Sequence, residues 1–199
     1  MTVPSREECY RIMSDMSMPD HIVAHSLQVC RIALLLSSSR ASSNGRLNLA
    51  LVEAAALLHD ITKMQSFQTG EDHARSGEIY LTELGYPDVA KIVGQHVRLD
   101  AYFASDAVTE AEIVNYSDKR VVHDRVVSLG ERIEYLLERY GIDERRRAWI
   151  LMLAEKTREM ETRIFSGVAF APSEIELKIA PDDRFDSFSS VRRLQETTG

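Results

Sequence analysis

The segment Leu49–Lys63, "LALVEAAALLHDITK", joins an apolar run to two side chains of metal-binding type. Leu49 to Leu58 is almost entirely apolar, which is typical of a helix buried in a protein core. His59 and Asp60 follow directly, where such a helix ends. A single His-Asp pair at that place is most often a capped helix end with one hydrogen-bonded core histidine. Its meaning therefore depends on whether other segments bring matching side chains to it.

The spacing of apolar residues is helical through most of the chain. Thr109 and Glu112 stand at the spacing of a capping box, and Gly85, Gly141 and Gly167 each follow an apolar periodic run. The pattern predicts helices at 6–16, 19–37, 49–60, 73–84, 87–97, 109–124, 125–141 and 143–167. We therefore expect an all-α helical bundle over residues 1–167. Residues 168–199 are predicted to form an irregular C-terminal extension, packed on or trailing from the same domain, with a surface helix or a loose tail over 185–199.

Composition restricts the classes of function. The 199 residues are 44% hydrophobic and 28% charged, as in a soluble globular protein, and the formal net charge is -7. This charge argues against binding of extended nucleic acid. The N-terminus has no apolar leader-like run, and no segment is expected to span a membrane, so a cytoplasmic location is predicted. With only two cysteines, Cys9 and Cys30, any metal would be held by histidine and carboxylate.

Six histidine and aspartate residues each lie on or beside an apolar helical face. Inward-facing side chains of neighbouring helices can meet at one point inside a bundle. Imidazole and carboxylate together suit iron, manganese, cobalt, nickel or zinc. The candidate ligands are His25, His59, Asp60, His73, His96 and Asp118.

The order of these residues resembles the HD superfamily of metal-dependent phosphohydrolases. The matching motifs are His25 in "VAHSLQV", His59-Asp60 in "LLHDITK" and Asp118 in "NYSDKRV", over roughly 20–125. His73 in "DHARSGEIYL" and His96 in "IVGQHV" resemble the extra histidines of the dinuclear subset. That subset includes the HD-type diadenosine tetraphosphate hydrolases and certain cyclic-dinucleotide phosphodiesterases, although the Gly-Tyr-Pro segment of the latter has no matched motif here.

The resemblance implies two divalent metal ions, with iron or manganese favoured. One would be held by His25, His59, Asp60 and Asp118, and the other by Asp60, His73 and His96. The implied activity is cleavage of a phosphoester or phosphoanhydride of a small nucleotide or dinucleotide polyphosphate by metal-activated hydroxide. Asp60 and Lys63 are the expected catalytic residues.

Basic residues near the candidate ligands are predicted to contact substrate phosphate. They are Lys63, Arg98, Lys119 and Arg120. Lys63 would share the helix face of His59 if that helix continued, and a solvated lysine is the alternative. His21 and His123 are expected to be surface or outer residues and are left out of the ligand set.

Two alternatives to the dinuclear hydrolase stay open. A mononuclear nucleoside monophosphate phosphatase would leave His73 and His96 with structural roles. A non-catalytic module would bind a nucleotide as a sensor without turnover. The sequence also leaves the oligomeric state open, a homodimer included.

Overall fold

The structure is a computed structural model that describes residues 2–40 and 47–179. Helices dominate it, so the predicted all-α fold is confirmed. The elements are α1 (Arg6–Asp15), α2 (Asp20–Ser39), α3 (Leu49–Leu58), α4 (Lys63–Thr69), α5 (His73–Glu83), α6 (Pro87–Val93), α7 (Glu110–Asp118), β1 (Val121–Val122), β2 (Arg125–Val126), α8 (Leu129–Tyr140), α9 (Glu144–Phe165), a 3₁₀ turn (Pro172–Glu174) and α10 (Ile175–Lys178).

Local side-chain caps fix several helix starts. The predicted box at Thr109 is present, since its hydroxyl accepts from the Glu112 amide while Glu112 accepts from the Thr109 amide. Ser5 and Ser128 form the same reciprocal box at α1 and α8. Asn48 caps α3 by accepting from the Leu51 amide. These caps satisfy amides that have no partner within the helix, so each start follows from a local signal.

Helix α2 lies at the centre of the bundle, packed against α3 and α7. Its residues Ile22, Val29, Ile32, Ala33 and Leu36 are buried, as the periodicity predicts. By length and composition alone, α2 is also long and apolar enough to cross a membrane, which the sequence analysis did not anticipate. However, 56% of that stretch is buried inside the protein, which is typical of a core helix.

The predicted helices over 109–124 and 125–141 are wrong where they adjoin, since α8 starts only at Leu129. Helix α7 stops at Asp118, and β1 pairs antiparallel with β2 in a two-stranded hairpin. The β-branched pair Val121–Val122 favours this extended backbone. His123 occupies the turn with φ +57°, a conformation that histidine adopts more often than most residues. The hairpin therefore carries the chain from α7 into α8.

The described part of the C-terminal extension is attached to the helical bundle. Ile175 is fully buried in the core, and Arg120 donates to the Pro172 carbonyl. The proposed boundary after residue 167 stays a prediction. The expected surface helix or loose tail at 185–199 lies outside the described residues.

Candidate metal centre

The six predicted ligands converge around Asp60, which follows the end of α3. Asp60 Oδ1 lies 3.4 Å from His73 Nε2 and 3.6 Å from His96 Nε2. Asp60 Oδ2 lies 3.4 Å from His59 Nε2 and 3.9 Å from His25 Nε2. The two oxygens of one carboxylate therefore face two different pairs of histidines.

Asp118 closes the cluster on the side of His25. As the last residue of α7, it places Oδ1 3.1 Å from His25 Nε2 and 3.8 Å from His59 Nε2. Five of the six side chains are buried. The exception is His73 at the start of α5, whose side chain is 25% exposed. The cluster is thus closed on the His25 side and open to solvent near His73.

Backbone carbonyls fix the orientation of three rings. Nδ1 of His59 donates to Ala56 O at 2.8 Å, and Nδ1 of His96 donates to Val93 O at 2.7 Å. These acceptors belong to the ends of α3 and α6, where carbonyls lack helical partners. Nδ1 of His25 donates to His123 O at 2.8 Å, in the hairpin turn. Because a carbonyl only accepts, each Nδ1 carries a proton, and Nε2 is the ring nitrogen that faces the cluster.

The donor set fits a divalent metal ion. His59 Nε2 is buried and has no hydrogen-bond partner within the described residues. Nε2 of His73 and Nε2 of His96 lie 3.0 Å apart. Two groups place their ligand atoms within 4.8 Å of one another, His25/His59/Asp118 and His59/Asp60/His96. Converging lone pairs on buried imidazoles and carboxylates are what a metal site of this type requires.

The electrostatics of the cluster also favour a cation. Burial alone raises the pKa of a carboxyl, but His59 and Lys63 hold the pKa of Asp60 well below its usual value. Lys119 and His25 have the same effect on the pKa of Asp118. Burial lowers the pKa of His96 to about 4, whereas for His59 burial is outweighed by the charges of Asp60 and Asp118 and by hydrogen bonds, which together raise the pKa. Ionised carboxylates and neutral imidazole are the forms that bind metal.

Lys63 reaches the cluster by a different route from the predicted one. Helix α3 ends at Leu58 and a turn leads to α4, so Lys63 does not share a continuous helix face with His59. Its Nζ nevertheless lies 2.6 Å from Asp60 Oδ2. Lys119 donates to the His96 carbonyl and lies 3.2 Å from Asp118 Oδ2. Both ammonium groups line the cleft above the cluster.

The predicted phosphate contact of Arg120 is not supported. Its side chain is buried, Nε donates to Val127 O at 2.7 Å, and Nη1 donates to the Tyr116 hydroxyl at 2.6 Å. A guanidinium committed to protein acceptors in the core has a structural role. Arg98 is exposed and is not among the residues that line the cleft. The position of Arg98 therefore also gives no support to the predicted contact.

Arg132 of α8 is a cleft residue that the sequence analysis missed. Its Nη2 lies 3.7 Å from Asp118 Oδ1, and its Nε is buried without a hydrogen-bond partner within the described residues. The available signal was its position: Leu129, Ile133 and Leu136 form an apolar helix face, and Arg132 lies on that face. A charged residue on an apolar helix face needs a charged or polar partner, so Arg132 was a candidate site residue.

The cleft has a volume of about 550 Å³ and two contrasting walls. The histidine wall consists of Asp60, Lys63, His73, His96, Asp118 and Lys119, with His25 and His59 behind it. The apolar wall comes from α8 and α9 and consists of Leu129, Ile133, Leu136, Tyr140, Trp149, Ile150, Leu153 and Ala154.

A family model described as HD domain matches residues 22–160. This range contains all six predicted ligands and both walls of the cleft. No curated protein and no solved structure matches the chain.

Proposed function

Since the chain belongs to the HD-domain family, whose members are mostly metal-dependent hydrolases, we propose that it is a phosphohydrolase acting on a small nucleotide. The bond cleaved is a phosphoester or a phosphoanhydride, and a dinucleotide polyphosphate is included in the substrate class. The observation that carries the proposal is the position of Asp60. Its two oxygens face separate histidine pairs, as a carboxylate shared by two ions would.

The site holds two divalent ions in this proposal, with iron or manganese favoured by the family resemblance. His25, His59, Asp60 and Asp118 would hold one ion, and Asp60, His73 and His96 would hold the other. Bound there, divalent metal polarises a phosphoryl oxygen and lowers the pKa of water toward neutrality. Asp60 is the residue common to both sets, so the relative position of the two sets depends on it.

Cationic side chains of the cleft orient the phosphate of the substrate. Lys63, Lys119 and Arg132 lie within 4 Å of Asp60 or Asp118, and the exposed Arg146 is a fourth cation of the lining, against the two carboxylates of Asp60 and Asp118. A chain with a net charge of -7 therefore has a cleft in which cationic side chains outnumber carboxylates. The cleft volume falls within the usual range for small-molecule sites, about 300–1,000 Å³. These features support a small anionic substrate, and the absence of duplex or membrane partners stays a prediction.

A mononuclear nucleoside monophosphate phosphatase is the second candidate. It is favoured by the contrast between the closed His25/His59/Asp118 group and His73, which is 25% exposed. In that case His73 and His96 would have structural roles. The number of ions bound per chain separates the two candidates.

The test is metal content per chain on anaerobically purified protein, together with a nucleotide phosphate-release panel, for wild type and His73→Ala. His21→Ala is the matched control, because His21 is an exposed histidine of α2. Two ions in wild type falling toward one in His73→Ala, with release lost, is the expected result. One ion in both proteins with release intact would favour the mononuclear phosphatase. Absence of release from every nucleotide would favour the non-catalytic sensor.

A further inference from the structure

We propose that the apolar wall of the cleft binds the base of the nucleotide, and that Trp149 is its main specificity-determining contact. This inference rests on the proposed function, since it concerns the same substrate. It adds how the base is recognised. The base stacks on a flat aromatic surface, and few hydrogen bonds distinguish one base from another.

The first observation is the position of exposed aromatic residues. Phe67 of α4, Tyr140 of α8 and Trp149 of α9 are 68%, 46% and 43% exposed. All three line the same cleft, although they come from three separate helices. Apolar surface left exposed in a ligand-sized cleft, and rimmed by polar residues, marks a binding site.

The second observation is the division of the cleft by charge. Lys63, Lys119 and Arg132 lie within 4 Å of Asp60 or Asp118. The apolar wall consists of residues of α8 and α9, and the fourth cation of the lining, Arg146 of α9, lies 3.8 Å from Asp143. A ligand that fills both parts has an anionic group at one end and an apolar face at the other. A nucleotide has both, whereas a sugar phosphate lacks the apolar face.

Few polar side chains of the apolar wall are available to read the edge of a base. Thr157 lines the cleft, but its hydroxyl donates to the Leu153 carbonyl at 2.8 Å. Tyr140 and Arg146 are exposed, and Arg146 lies 3.8 Å from Asp143. Stacking tolerates different bases because every base has a π-face. We therefore expect similar use of purine and pyrimidine nucleotides, and discrimination against phosphates that carry no base.

Binding can be measured without turnover because the chain has a single tryptophan. All tryptophan fluorescence therefore comes from Trp149. In titrations of the metal-loaded full chain, adenosine is expected to quench the emission, whereas ribose 5-phosphate and inorganic phosphate leave it nearly unchanged. Tryptophan emission that is unchanged by adenosine but changes with protein concentration would overturn the proposal. It would indicate that the apolar wall contacts a second copy of the chain.

Specificity is measured as kcat/KM for adenosine monophosphate relative to ribose 5-phosphate. Trp149→Leu is expected to reduce this ratio about tenfold, chiefly through KM, as for loss of one stacking contact. Trp149→Phe, which keeps an aromatic face, should recover most of the ratio. Leu151→Ala is the matched control, since Leu151 lies on the same helix, is 47% exposed and does not line the cleft.

The two proposals fail in different ways. An unchanged ratio in Trp149→Leu, with phosphate release intact, would overturn the base-binding role and leave the phosphohydrolase standing. Quenching by adenosine without release from any phosphate compound would support the base site and overturn the hydrolase. A ratio that falls equally in Leu151→Ala would show a general effect of altering α9, and would also overturn the role of Trp149.

Discussion

The two walls of the cleft are built in opposite ways. The histidine wall uses residues at helix ends and in turns, and backbone carbonyls hold the rings of His59 and His96. The apolar wall uses residues within α8 and α9, and its aromatic residues Tyr140 and Trp149 are almost half exposed. Metal coordination requires that the coordinating side chains keep fixed directions. In contrast, a flat apolar molecule can still bind when the side chains beneath it shift slightly. We infer that chemistry and recognition are located on separate walls and can be altered separately.

The most severe way to break this division is Asp60→Asn, which changes only the histidine wall. Loss of the carboxylate shared by the two proposed ligand sets should reduce phosphate release by more than about 100-fold, since even outer partners of metal ligands are worth 10–100-fold in metal affinity or activity. Metal content should fall in parallel, while adenosine still quenches Trp149.

Asp106→Asn is the control for this change, because Asp106 is exposed in the connection before α7. Retention of full metal content and activity in Asp60→Asn would contradict the assigned role of Asp60. Loss of the adenosine response would contradict the separation of the two walls.

Arg120→Ala tests whether the contacts of the Arg120 side chain stabilise the packing of the elements that form the two walls. Arg120 joins α7 through Tyr116, the segment after the hairpin through Val127, and the C-terminal extension through Pro172. It also lies 3.3 Å from Glu161 of α9. Removal of this guanidinium leaves buried acceptors without donors, so the free energy of unfolding should fall by about 2–4 kcal/mol.

Chemical denaturation measures this change. Arg125→Ala is the control, since Arg125 is exposed on the hairpin that follows Arg120. If Arg120→Ala keeps its stability but loses phosphate binding, the predicted phosphate contact would be restored and the structural role rejected.

Arg132→Gln tests a residue at which the two walls of the cleft approach each other. Arg132 belongs to α8 but approaches Asp118 of the histidine wall. Loss of one cation facing phosphate should reduce kcat/KM about tenfold, because hydrogen bonds to charged groups are worth roughly 1.5–3 kcal/mol. The ratio between nucleotide and sugar phosphate should stay constant, since both carry the phosphate.

Steady-state kinetics with both phosphate compounds test this expectation, with Arg139→Gln as the exposed control on the same helix. A change in the ratio between the two substrates would place Arg132 with base recognition instead.

Local signals made much of the fold predictable. The bounds of α3, Leu49–Leu58, coincide with the apolar run, and the Thr109 capping box lies where its spacing predicts. The ligand cluster followed from residue types beside apolar faces and from the family motifs. In contrast, Lys119 and Arg120 are neighbours in sequence, yet one enters the cleft and the other the core. Both follow the end of α7 at Asp118, and two partners of Arg120, Glu161 and Pro172, come from segments distant in the chain, which periodicity does not reveal.

The carbonyls that hold the histidine rings have a consequence for how this site responds to mutation. Ala56, Val93 and His123 contribute main-chain oxygens, so exchanging their side chains leaves the acceptors in place. An alanine scan therefore removes none of the three acceptors, although alanine in place of His123 would also have to adopt the positive φ of the hairpin turn. A one-residue insertion or deletion beside any of them displaces the oxygen and turns the ring. In this part of the protein, the length of the chain between fixed points is under tighter constraint than the identity of the residues that compose it.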